Sequence, residues 1–381
     1  MKKNSQNLRV GFLYDDSLDR TDGVSHQVKT LGKWLSEQGH EVCYLVGETK
    51  MSTWNGGKVY SLSKNKAVKF NGNKLATPIP ASAKNIKDVL KKENLDVVHV
   101  QMPYSPFMAQ KVINRLPSSV GVAGTFHILP ANSLTSVGTR LLRLVYGKSL
   151  RRIDKLLAVS PAAAVFARTS LGAEFAVLPN AIDISQFQIK NSMHQPNHIV
   201  FLGRLVPRKG CLELLRAFRL LKERLPAVTL IIAGDGPLRG QLEKFVSDNN
   251  LQDCVKFLGL IDEKDKPKLL STAAIACFPS LGGESFGIVL IEAMAAGSGV
   301  VVGGNNPGYV SVLGENSQVL VDPHSSSEFA SRLDKILIEQ NLATRLHERQ
   351  QEQVKQYDVS VVGKQLVEIY RQAIASRRQK P

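Results

Sequence analysis

Two glutamates eight positions apart, Glu284 and Glu292, interrupt the otherwise apolar run GGESFGIVLIEAMAAG over residues 282–297. Carboxylates grip hydroxyls or cations, and glycines beside a helix start leave backbone amides open to an anion. The run reads as a glycine-bearing turn, LGGES, opening a helix, FGIVLIEAMAAG, with Glu292 farther along by roughly 12 Å of helical rise and about 80° of rotation from Glu284, so they cannot act as one acid/base pair. They can hold different parts of an extended ligand. An acid beside an anion site repels the anion unless it serves another group, such as a sugar hydroxyl. The plainer reading makes Glu284 a helix-dipole acid and Glu292 an ion-paired residue on the helix flank.

In HIVFLGRLVPRKGCLELL a strand ends near Gly203 and a helix begins near Gly210, with Arg204, Arg208 and Lys209 in the turn between them. Cations at a strand's carboxyl end can neutralise a diphosphate, and arginine adds forked hydrogen bonds; a solvated basic turn is the plainer alternative. In the first half, DDSLDRTDGVSHQV opens a helix and VAGTFHIL ends a strand at His127, whose imidazole could donate to a sugar or phosphate oxygen or serve only the structure. AGDGPLRG lacks the spacing of a dinucleotide-binding loop and reads as a strand-to-helix turn. The segment TRLLRLVYGKSLRRIDKLL, residues 139–157, sets Arg140, Arg143, Lys148, Arg151, Arg152 and Lys155 among leucines, as in an interfacial helix on anionic lipid or an ordinary basic surface helix. KNKAVKFNGNK and KDVLKKE add lysines to the same half.

These residues need elements to position them. The first half alternates the apolar runs LRVGFLYDD, HEVCYLVG, LDVVHVQ, SVGVAGTFH and DKLLAVS with helical segments such as VSHQVKTLGKWLSEQG. Strands apolar throughout belong to a parallel sheet covered on both faces. From His198 the rhythm restarts with HIVFLGR, VTLIIAGDG, CVKFLG, AIACFPS and GVVVGG. The pattern predicts an α/β chain of two Rossmann-like, doubly wound domains facing across a cleft, residues 1–189 and 190–361, divided at the polar stretch QIKNSMHQPN. A C-terminal helix over about 362–381 is expected to pack back on the first domain.

Composition bounds the function. With 43% hydrophobic and 22% charged residues, the chain fits neither a disordered nor a fibrous class. Residues 1–189 carry 25 Lys and Arg against 13 Asp and Glu, and residues 190–381 carry 24 against 20, so most of the net +16 sits in the first half. That half is expected to meet something anionic. Cys43, Cys211, Cys254 and Cys277 show no metal-ligand spacing and fit a reducing cytosol. The N-terminal apolar run is too short for a signal peptide, and no window is long and apolar enough to span a membrane, so the chain is expected inside the cell.

With its motifs in this order, the whole chain resembles the family 4 retaining glycosyltransferases of GT-B fold. GGESFGIVLIEAMAAG matches their E-x7-E motif, and GRLVPRKG their basic donor turn. The resemblance implies that Arg204 and Lys209 hold the donor diphosphate with the amides of Phe286, Gly287, Ile288 and Val289. It implies further that Glu292 binds the ribose, that Glu284 binds the transferred sugar, and that His127 approaches that sugar. Catalysis would fall to His127, Arg204, Lys209 and Glu284, with retention by front-face attack.

Within the family the chain is most similar to the phosphatidylinositol α-mannosyltransferases, which implies GDP-mannose as donor and a phosphatidylinositol-type lipid acceptor. Binding to an anionic phospholipid surface at the inner face of the cell membrane is implied too, with no tightly bound cofactor and no dedicated metal site, although magnesium could assist. Gly23 would lie beside the donor, and Ser25, Asn71 and His127 near the acceptor. The chain departs from the pattern at Asp22, Ser25 and Gln101, where acceptor choice is made. Alternatives are a UDP-dependent glucosyl- or galactosyltransferase acting on diacylglycerol, a sugar-nucleotide 2-epimerase, and a non-catalytic basic protein binding membrane or RNA. The last conflicts with the intact motifs, and no nucleic-acid module is present.

Overall fold

The computed structural model describes residues 7–20, 22–70, 73–130, 145–189, 194–315 and 317–379. The chain divides into two compact units, Met1–Ala181 with Val359–Pro381, and Ile182–Asp358.

The first unit is built on eight strands: β1 (Arg9–Tyr14), β2 (Glu41–Val46), β3 (Thr53–Trp54), β4 (Gly57–Ser61), β7 (Val97–Met102), β8 (Gly121–Phe126), β9 (Lys155–Ala158) and β10 (Ala176–Val177). A separate hairpin joins β5 (Asn65–Phe70) to β6 (Asn73–Pro78). The sheet runs β10-β9-β8-β7-β1-β2-β4-β3, parallel except for the β3–β4 pair. Every residue of β7 and β8 is buried, which explains their apolar runs. Strand order reverses between β1 and β7, so the loops after those strands meet at a topological switch point.

Around the sheet lie α1 (Gly23–Glu37), α2 (Ala83–Glu93), α3 (Ala109–Ile113), α4, whose described part covers 145–151, and α5 (Pro161–Leu171). Val28, Leu31, Trp34 and Leu35 recur at helical spacing along α1 and turn one apolar face into the core.

The second unit holds β11 (His198–Leu202), β12 (Thr229–Ala233), β13 (Val255–Gly259), β14 (Ile275–Phe278), β15 (Val300–Gly304) and β16 (Leu320–Val321), all parallel, in the order β13-β12-β11-β14-β15-β16. Its helices are α6 (Cys211–Arg224), α7 (Arg239–Asp248), α8 (Lys266–Ser271), α9 (Ile288–Ala295), α10 (Pro307–Leu313), α11 (Ser326–Ile338) and α12 (Gln340–Val354). Its switch point lies between β11 and β14. The two motif loops, GRLVPRKG and PSLGGES, follow those two strands.

The units part at Ala181 and Ile182, eight residues before the expected boundary at 189/190. Backbone pairing is the cause: Ile182 bridges to Asp358 and its amide donates to Tyr357 O at 2.9 Å, which ties the segment to the second unit. The last helix, α13 (Val359–Arg378), belongs to the first unit. A Cβ on Gly363 would stand 2.4 Å from the Trp34 ring, so glycine permits the close approach of α13 to α1. Arg377 secures its far end on the buried Asp154 at 2.7 Å.

The expected basic helix over 139–157 does not run that far. Helical structure stops at residue 151, and Lys155 opens β9. Among the described residues no helix is long and apolar enough to cross a membrane.

Candidate active site

At the second unit's switch point the turn after β11 carries Arg204, then a single 3-10 turn, Pro207–Lys209, leading into α6. The loop after β14 is stitched to it: Leu281 N donates to Arg208 O at 2.8 Å, and Ser280 Oγ lies 2.9 Å from that same carbonyl. This seam brings charges together that sequence separates by some 75 positions. Glu284 Oε1 sits 2.5 Å from Arg208 Nη1, 2.8 Å from Lys209 Nζ and 2.9 Å from Ser280 Oγ.

Glu284 is 9% exposed. Burial pushes its carboxyl upward, but Lys209, Arg208 and the hydrogen bonds from Lys209 and Ser280 outweigh that and hold it below the ordinary carboxylate value. Glu284 is therefore an anion at neutral pH.

Two features of this turn suit a second anion. The Arg204 guanidinium is drawn below its ordinary value by partial desolvation and by the positive charge of Arg208. Arg208 Nε, buried, has no hydrogen-bond partner among the described residues. Clustered guanidiniums with an orphaned donor lose free energy that a diphosphate would restore.

The GGES run is not helical. Gly287 takes φ +106° and α9 begins only at Ile288, so Glu284 lies in the loop and Glu292 in the helix's second turn. The helical rise and rotation expected between the two glutamates do not describe them. A Cβ on Gly287 would meet the Tyr309 ring at 2.6 Å, so this break is built into the packing. No side chain caps α9, which leaves its first amides, at Ile288 and Val289, to another partner. The Phe286 ring is buried edge-on against Tyr357, at 5.4 Å between centroids, and anchors the loop. Glu292 is 4% exposed, with Lys266 Nζ 3.5 Å away; Lys266 also pairs with Glu263 at 2.7 Å.

In the first unit His127 directly follows β8. Its amide donates to Met102 O at 3.1 Å, and its Nε2 lies 2.7 Å from Gln101 Oε1 on β7. Burial pushes the imidazole down to about 4, so it is neutral at physiological pH.

The start of α1 is already occupied by an anion. Asp22 accepts from Val24 N and Ser25 N, both at 3.0 Å, and from Tyr14 OH at 3.2 Å. Gly23 opens the helix and is exposed. Ser25 does not offer its hydroxyl to a ligand as expected, because it is fully buried and Oγ donates to Leu18 O at 3.4 Å.

Of the expected lipid-facing residues, Lys148 and Arg151 are exposed on α4. Arg152 instead turns inward, donating to Pro117 O at 2.8 Å and Val120 O at 2.7 Å and lying 3.5 Å from Asp154. Arg140, Arg143 and Asn71 lie outside the described residues. The structure adds Ser280 and Gln101, which the sequence did not assign to a site, and gives Arg208 a carboxylate partner that the sequence did not predict. Arg208 stood in the basic turn and Gln101 at a departure from the family pattern, but nothing in the sequence marked Ser280.

Solved structures share this architecture. Anabaena HepE in complex with UDP and glucose superposes with a TM-score of 0.72 at 19% identity, over 95% of this chain and 99% of that one. Sucrose-phosphate synthase from Thermosynechococcus elongatus gives 0.74 at 20%, over 96% and 99%. Two parallel doubly wound units of this kind define the GT-B fold of glycosyltransferases. The family described as "Glycosyltransferase Family 4" matches residues 21–186, and "Glycosyl transferases group 1" matches residues 183–353. A phosphatidyl-myo-inositol mannosyltransferase of Mycolicibacterium smegmatis is 31% identical over 95% of this chain and 93% of its own length. The chain belongs to the family 4 glycosyltransferases.

Proposed function

We propose that the chain moves mannose from GDP-mannose to a phosphatidylinositol-type lipid at the cytoplasmic face of a membrane, with retention of anomeric configuration. The observation that carries this reading is the Glu284 cluster at the second switch point, which pairs a buried carboxylate with two cations beside an uncapped helix start. The choice of sugar and acceptor is supported by the names of relatives about 31% identical over 95% of the chain.

In this reading residues 190–361 take the nucleotide sugar. Arg204, Arg208 and Lys209, with the amides from Phe286 to Val289, hold the diphosphate and stabilise charge on it as it leaves. Glu292 takes the ribose hydroxyls, Glu284 the hydroxyls of the sugar, and His127 a further sugar hydroxyl. The C1–O bond to the diphosphate breaks while the acceptor oxygen bonds to C1 on the same face, and the acceptor's proton passes to the departing phosphate oxygen. Residues 1–189 receive the lipid. Exposed Lys148 and Arg151, with Lys84, Lys87, Lys91 and Lys92 on the solvent side of α2, supply attraction to an anionic surface.

Thermal shifts with GDP and with UDP, followed by transfer from the preferred sugar nucleotide to phosphatidylinositol and to diacylglycerol, test the reading. Stabilisation by GDP and mannosylation of phosphatidylinositol are expected. A preference for UDP, or glycosylation of diacylglycerol alone, would replace it with the alternative.

A further inference from the structure

We propose that Gln101 decides which nitrogen of His127 carries the proton, and so makes that imidazole an acceptor for a sugar hydroxyl. The proposal deepens the assignment of His127 above and rests on it. The side-chain amide of Gln101 is oriented by its own donor, Nε2, which reaches His99 O at 3.4 Å. That turns Oε1 toward His127 Nε2, 2.7 Å away. An oxygen acceptor at that distance requires a hydrogen on Nε2, and a neutral ring then holds its lone pair on Nδ1. Among the described residues Nδ1 has no hydrogen-bond partner.

The surroundings keep the ring neutral. Strand pairing sets Gln101 opposite Thr125 and His99 opposite Ala123, so two parallel diagonals form on one face of the sheet, Gln101 to His127 and His99 to Thr125. His99 Nδ1 meets Tyr370 OH of α13 at 2.8 Å and Nε2 meets Thr125 Oγ1 at 2.7 Å. His99, Gln101, Thr125 and Tyr370 are all buried. Among the described residues the titratable groups tied into these diagonals beside His127 are His99 from β7 and, behind it, Tyr370 from α13. Burial holds His99 down at about 3 and Tyr370 far above its ordinary value, so neither is charged at neutral pH.

The sequence led us to expect a donating imidazole; the geometry reverses the polarity. A lone pair on Nδ1 favours a hydroxyl, which can donate, over a carboxylate or phosphate oxygen, which cannot. Gln101 is a positioning residue in this scheme, acting through His127 as outer partners of histidine ligands do.

Long-range nitrogen–proton NMR of the histidine rings in the full chain at pH 7.5 reads the tautomer directly, with the His127 signals assigned by their loss in His127→Ala. A pyrrole-type Nε2 and a pyridine-type Nδ1 are expected. An Nδ1-protonated ring, or an imidazolium, overturns the proposal with no variant of Gln101 needed. Gln101→Leu should mix the tautomers and lower kcat about ten-fold, the size of one hydrogen bond, with KM for the nucleotide sugar within about two-fold. An unchanged tautomer or unchanged kcat in that variant removes the role of Gln101. Wild-type turnover by His127→Ala would instead remove the sugar contact itself, whatever the tautomer.

Discussion

Two buried carboxylates follow switch-point strands, one in each unit, and their surroundings drive them in opposite directions. Glu284, after β14, is held below the ordinary carboxylate value because Arg208 and Lys209 outweigh its burial. Asp15, after β1, accepts from the amides of Ser105 and Ala109, the latter at 3.0 Å, and burial raises it from 3.8 to about 6 against those bonds. Both are 9% exposed, so burial alone does not separate them. The difference lies in the partners. Backbone amides fix a loop, whereas mobile cationic side chains can be shared with an incoming anion. The first unit's switch point is a scaffold of backbone contacts, and the second's concentrates the charges that the proposed donor site would use.

Removing the negative charge from the second site is the sharpest way to break that contrast. Glu284→Gln keeps the side-chain shape but gives up the charged grip proposed for the sugar, so kcat is expected to fall by roughly 10²–10³, the effect of losing one preorganised electrostatic contact. Nucleotide affinity by calorimetry should hold or rise, because Arg208 and Lys209 are released toward the diphosphate. Turnover at the wild-type rate would mean that Glu284 only organises the loop.

Arg208→Ala asks the complementary question. A lost charge-assisted hydrogen bond is worth about 1.5–3 kcal/mol, so nucleotide affinity should weaken by roughly 10- to 150-fold. Lys209 still pairs with Glu284, and the loop seam runs through the Arg208 carbonyl, which the substitution leaves in place. Unaltered calorimetric affinity would confine Arg208 to holding Glu284.

Much of this contrast could be read from residue order. The ten apolar runs identified in the sequence all form strands; those buried on both faces, such as β7, β8 and β11, leave a continuous apolar signature, while the edge strand β13 alternates. The short strands β3, β10 and β16, two residues each, carry too few residues to show a period. GRLVPRKG and GGESFGIVLIEAMAAG marked the two loops of the candidate site because glycines, cations and acids stand together in them. What they could not disclose was the seam between them, since contacts such as Ser280 to Arg208 depend on two loops 72 residues apart arriving at one switch point. Helical rise also misjudged the spacing of the two glutamates, because Gly287, at φ +106°, holds the start of α9 back to Ile288 and leaves Glu284 in the loop. Arg152 misled for a related reason: composition reports a basic segment, and only packing decides which arginine turns inward.

The smallest expected effect tests the scaffold side of the comparison. Asp15 has a native pKa of about 6 against an ordinary 3.8, so between those values the folded chain binds more protons than the unfolded one. Its favourable contribution is therefore complete below about 3.8 and is lost as pH rises through about 6; above that the buried carboxylate is ionised and carries its full desolvation cost. Asp16, beside it, is negative and adds to the upward shift, while the Ser105 and Ala109 amides oppose it. Asp15→Asn abolishes the titration. Urea unfolding midpoints measured at pH 4.5, 5.5 and 7 should show the wild type losing ground to the variant as pH rises, whichever is the more stable at pH 4.5. A series on Glu284→Gln carried below pH 4.5 should run the other way: a depressed carboxylate keeps its contribution above its unfolded pKa and loses it as pH falls below that value, so the wild type should lose ground as pH drops there. Parallel curves for Asp15→Asn would mean that backbone amides satisfy a carboxylate as fully as cations do, and the distinction between scaffold and ligand site would have to rest on geometry alone.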